Sequence, residues 1–160
     1  MNLITKILNL KNAFKRSRLA FILPILGLNL SALPPNKINE IRQNTVIIET
    51  FDQDDNPVGY GTGFIVSSEG HIATCIHVIE DYSSITVKFP HSNARFQVNE
   101  IIDSDKSTDL AILSTDIKGK PLTLSKSQCE IGEKVFAFGN PQGWEGTVSD
   151  GIISAVRISE

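Results

Sequence analysis

The sequence predicts an all-β fold whose antiparallel strands close into a barrel. Short runs rich in β-branched residues recur at close spacing from Thr45 onward, and polar turn residues bound each of them. Outside the N-terminal segment no comparable stretch carries helical periodicity. A chain of many short strands hides its edges most simply by closing the sheet on itself.

Residues 1–32 carry Lys6, Lys11, Lys15, Arg16 and Arg18 and no acid, then an apolar run from Leu19 to Leu30 and the small residues Ser31 and Ala32. A basic region, an apolar region and a small-residue cleavage site make a signal peptide. The apolar run falls short of the roughly 20 residues that span a bilayer, so a membrane anchor or an organelle transit peptide is the alternative. The expected location is therefore outside the cytoplasm, periplasmic or extracellular. Residues 33–37, with Pro34 and Pro35, read as a linker. Strands follow at residues 45–51, closed by the polar loop 52–57, and then at 61–67, 71–75, 84–89, 95–102 and 110–114. Together residues 38–118 are expected to form the first barrel. Lys118-Gly-Lys-Pro121 opens a second unit over residues 119–160, with strands at 131–138 and 147–157. That unit begins a second barrel without the strands to finish it, which predicts exposed edges and either self-association or a partner.

The formal charge of −3 hides an asymmetry. Removing the five basic residues of the leader from the fifteen leaves ten basic against eighteen acidic, or −8. So acidic a body argues against nucleic acid as the partner.

The segment from Gly59 to Asp81 organises the chemistry. Its first strand is apolar at Phe64, Ile65 and Val66, a Ser68-Glu69-Gly70 turn reverses the chain, and a second strand leads into a short helical turn carrying His77. His77 thus sits where rigid structure ends. A general base needs one ring nitrogen facing the reacting proton and the other facing a fixed acceptor. Asp109, 32 positions on and just ahead of the apolar run Leu110-Ala-Ile-Leu113, is the natural acceptor. A carboxylate buried at a strand mouth would hold the imidazole tautomer and stabilise the imidazolium.

The blocks GTGFIVSSEGHIATCIHVIED, STDLAIL and GEKVFAFGNPQGWEGTVSDGIISAVR, in that order, resemble the successive blocks of trypsin-like serine proteases of the HtrA (Deg) type. The resemblance covers residues 38–157 and implies a trypsin-like pair of antiparallel barrels, with His77 as general base and Asp109 as its orienter. It also implies hydrolysis of polypeptide substrates. The family's nucleophile lies in a Gly-Asn-Ser-Gly-Gly-type segment, and no Gly-x-Ser-Gly occurs in these 160 residues: Ser149 precedes Asp150 and Gly151, and Ser154 lies inside an expected strand. The oxyanion-hole amides and specificity pocket belong around that serine. The sequence is therefore read as the N-terminal, truncated portion of such an endopeptidase, inactive until a serine-bearing half completes it. The reading from a different class is a non-catalytic binding or regulatory fragment that pairs with a protease relative.

Other residues have plainer readings. Asp103 and Asp105 are expected as solvated loop acids. Gly61 and Gly63 are expected as backbone devices that let strands approach. His71, Cys75, His77 and His91 lack metal-site spacing, so neither metal nor cofactor is expected. Cys75 and Cys129 make a single candidate disulfide that spacing leaves undecided, and Cys75 is not expected to serve as a nucleophile. Trp144 is expected to pack over a hairpin.

Overall fold

The computed structural model describes residues 33–80, 82–90, 92–140 and 146–157. The leader at 1–32, His91 and Trp144 lie outside the described residues, and so do the readings attached to them.

Six strands close a barrel in the order β1-β2-β3-β6-β5-β4, every neighbouring pair antiparallel. They are β1 (Thr45–Phe51), β2 (Pro57–Ile65), β3 (His71–Thr74), β4 (Ser84–Lys88), β5 (Arg95–Asp105) and β6 (Leu110–Thr115). The fold class read from the sequence is the fold observed. The interior is filled by alternate residues of successive strands, as the two-residue period of a pleated strand requires: Val46 and Ile48, Ile65, Ile72, Val87, and Ala111 and Leu113. Phe64, Val66, Ala73 and Ile112 point to the outer face, where Leu122 and Leu124 cover them. The Leu122 amide also donates to the Ile65 carbonyl at 2.9 Å, so the segment after the barrel is tied onto its wall.

Two features depart from the sequence reading. Pro35 does not continue a linker but opens a nine-residue helix, α1 (Pro35–Gln43). A proline at the first helical position lacks only an N–H that would go unbonded there, and its fixed φ already suits the helix. Ile38 and Ile41, three apart and on one face, pack with Leu33 and Phe138. β5 runs on through Asp103 and Asp105, expected as loop acids, because register shifts within the strand keep it paired to β6 as far as Leu110.

The second unit supplies β7 (Lys134–Gly139) and β8 (Thr147–Ile152), an antiparallel pair. Both are shorter than expected. Asn140, just after β7, is 1% exposed: its side-chain amide donates to the Val46 carbonyl at 3.3 Å and its carbonyl accepts from the Gly146 amide at 2.7 Å. Its own backbone N–H donates to Thr62 Oγ1 at 2.9 Å. One buried side chain thus joins the two units, and its polar atoms are satisfied, as burial requires.

Glu49 on β1 is a carboxylate only 3% exposed, held by Arg95 Nε at 2.6 Å and Lys88 Nζ at 3.1 Å. Burial pushes its carboxyl up, but the hydrogen bonds and charges of Arg95 and Lys88 outweigh that and hold it below the usual carboxylate range.

Candidate active site

The chain after β3 leaves the barrel as a single 3-10 turn, Ile76–Val78. Ile76 and Ile79 are buried in the barrel core with Val78 packed beside them, so the turn plugs the barrel mouth and sets His77 on its rim. β2 makes room for it. Gly61 faces the turn so closely that a Cβ there would lie 2.1 Å from Val78 Cγ1, and a Cβ at Gly63 would lie 2.6 Å from Ile72 Cγ2. The expected backbone role of these glycines is realised: Gly61 seats the histidine turn and Gly63 lets β2 lie close to β3.

Asp109 approaches from the start of β6 with φ at +56°, in the left-handed region that Asp tolerates better than most residues. Its carboxylate takes two hydrogen bonds from one residue: Oδ1 accepts the His77 backbone N–H at 3.0 Å and Oδ2 meets His77 Nδ1 at 2.5 Å. Its carbonyl accepts the Ile76 amide at 3.3 Å. Asp109 therefore grips both the ring and the backbone of the turn. Among the described residues no side chain hydrogen-bonds His77 Nε2, and the His77 side chain is 57% exposed. The sequence reading placed Asp109 in a buried strand mouth. Its side chain is instead 39% exposed, because it sits on the rim beside the turn rather than beneath it.

Cys75, one residue before the turn, is buried. Burial first, and the neighbouring Asp109 carboxylate second, push its thiol up to about 12, so it is protonated at neutral pH and poorly nucleophilic. Cys75 and Cys129 are not bridged. His71 stands apart from these groups, at the start of β3 beside Glu69. Sequence reasoning missed Val78 as a support of the site; the every-other-residue glycines at 59, 61 and 63 were the available signal that something packs against β2.

A histidine locked through Nδ1 by an aspartate, on the rim of a six-stranded barrel, agrees with a match of residues 61–159 to the trypsin-like peptidase domain. The chain belongs to the trypsin-like peptidase family. The chain is similar to a probable periplasmic serine endoprotease, DegP-like, of Chlamydia muridarum, 43% identical over 97 residues that make up 59% of this chain and 19% of that protein. It is 39% identical over 99 residues to the DegP-like protein of Halomonas elongata, covering 61% of this chain and 20% of the other. Protease Do-like 1, chloroplastic, of Arabidopsis thaliana is 35% identical over 112 residues, 68% of this chain and 25% of its own. The chain thus spans a fifth to a quarter of the length of these relatives. Within this trypsin-like domain, His77 and Asp109 both fall inside the matched residues. Among the described residues no helix is long and apolar enough to cross a membrane.

Proposed function

We propose that this trypsin-like domain is the base-bearing part of an exported serine endopeptidase of the HtrA (Deg) type. Residues 38–118 are its first barrel and 119–160 the start of its second. His77 is the general base and Asp109 its orienting acid. The two-point grip of Asp109 on His77 carries the reading. With Nδ1 committed to a carboxylate, Nε2 is the nitrogen left to take a proton from an attacking serine hydroxyl and later return it to the leaving amine, while the carboxylate stabilises the imidazolium between those steps. The serine, the oxyanion donors and the specificity pocket come from polypeptide other than these 160 residues, and the substrate is a polypeptide. The names of the DegP-like relatives support export, and the basic, acid-free leader supports it independently.

The test uses the native gene product. A fluorophosphonate probe should label one serine, and His77→Ala should abolish the labelling. Intact mass and C-terminal peptides from the same sample identify the polypeptide that bears the labelled serine. Failure of any serine in the native product or its complexes to react would favour the binding-module reading. That alternative has support in the exposed Ile131, ahead of β7, and the exposed Ile152 at the end of β8.

A further inference from the structure

The turn that carries His77 brings together three groups of unlike chemistry. Cys75 Sγ, a ring nitrogen of His77 and a carboxylate oxygen of Asp109 all lie within 4.8 Å of one another. Two ligands within three residues and a third from the neighbouring strand's start are held by structure already described: the barrel-mouth turn fixes Cys75 and His77, and the β6 start fixes Asp109. In a tetrahedral zinc site with bonds of about 2.0 to 2.3 Å, ligand atoms stand roughly 3.3 to 3.8 Å apart, so side-chain adjustments of about 1 Å would close this set around an ion. Thiolate, imidazole and carboxylate together suit a borderline-soft ion better than magnesium or calcium.

We propose that Cys75, His77 and Asp109 form a three-ligand binding site for Zn²⁺, with the fourth position held by water. On binding, the Cys75 S–H bond breaks, a Zn–S bond forms and the thiol proton goes to solvent. Coordination at His77 Nδ1 requires the other tautomer: Nδ1 gives its proton to solvent and Nε2 takes one up from solvent, so the ring stays neutral. The ion then replaces the hydrogen bond between Nδ1 and Asp109 Oδ2. Zinc and an intact His–Asp pair are mutually exclusive. The binding claim stands without any catalytic role for His77; its consequence, reversible silencing of the base, rests on the function proposed above.

The test reads binding rather than activity. Untagged full-length protein is titrated with Zn²⁺ by calorimetry, and separately with Co²⁺ to follow the thiolate-to-cobalt charge-transfer absorption. The expected result is one equivalent of Zn²⁺, a Co²⁺ charge-transfer band, loss of that band in Cys75→Ser, and at least tenfold weaker Zn²⁺ binding in both Cys75→Ser and His77→Ala. Cys129→Ser should leave both signals unchanged. No charge-transfer band in the parent protein, or a band that survives Cys75→Ser and disappears in Cys129→Ser, overturns the proposal. Should Cys75→Ser fail to fold, His77→Ala decides alone, since that side chain is exposed on the rim, and unchanged Zn²⁺ affinity there also overturns it. Peptidase failure with binding intact would count against the function proposed above and leave the metal site standing.

Discussion

Gly61→Ala tests whether the histidine turn is positioned by its seat on β2. The added Cβ would lie 2.1 Å from Val78 Cγ1, 2.9 Å from Cγ2 and 3.1 Å from Cβ. Rotating Val78 relieves the methyl contacts but not the last one, and a β-branched side chain has few rotamers to use. Restoring that last contact from 3.1 Å to about 3.5 to 4.0 Å requires the turn and β2 to separate by roughly 0.4 to 0.9 Å. Such a shift would stretch the 2.5 Å contact between His77 Nδ1 and Asp109 Oδ2 to about 2.9 to 3.4 Å, toward the limit of about 3.2 Å beyond which such bonds fade. Overpacking of this kind costs about 1 to 3 kcal/mol. The alanine recovers about 0.4 to 1 kcal/mol by restricting the unfolded chain, so a net loss of about 1 to 2 kcal/mol is expected. Urea unfolding followed by far-ultraviolet circular dichroism measures that loss, and hydrogen exchange at the His77 amide reports whether the turn has moved. Gly61→Ala/Val78→Ala should recover the exchange protection by removing the clashing methyls. A Gly61→Ala protein with the parent midpoint and the parent His77 protection would refute the steric account of the seat.

Four further outcomes follow from the structure. Asp109→Asn in the native, serine-complemented protease is expected to lower kcat by about 10⁴, as an amide there favours the wrong imidazole tautomer; a loss under tenfold in a kinetic assay would count against the assigned roles. The lowered carboxyl of Glu49 contributes stability that is fully present above the unfolded carboxylate value near pH ~4.3 and is lost as pH falls through its lower folded value. Accordingly, Glu49→Gln should flatten the acid limb of a stability–pH curve, and an unchanged limb would exclude the Glu49–Arg95–Lys88 cluster as its source. Asn140→Ala should cost about 1 to 3 kcal/mol by orphaning the Gly146 amide and removing the bond to the Val46 carbonyl, with faster exchange at Gly146 as the accompanying sign. Cys75 should resist iodoacetamide at pH 8 in the native state and react once urea exposes it, which peptide mass spectrometry reads directly.

The class of the fold, most of the barrel strands and the pairing of His77 with Asp109 were legible in the amino-acid order alone. Strand periodicity is local, so alternation around Thr45–Phe51 and Leu110–Thr115 is visible without knowing what lies opposite. The three ordered blocks served the same end for the two residues, which no spacing rule would have joined across 32 positions. Matters of partner and depth emerged only once the chain was folded. The helix at Pro35–Gln43 is stabilised by Phe138, a residue of the second unit, and a Pro-Pro pair read locally suggests a linker instead. β5 extends through Asp103 and Asp105 because β6 pairs with it there, whatever the strand propensity of aspartate. The degree of burial at Asp109, its left-handed backbone and the approach of Cys75 to it arise from how two distant segments meet at the barrel rim. Periodicity reports which face of an element is apolar; the contact that face makes, and the chemistry gathered at its edge, is a property of the closed barrel.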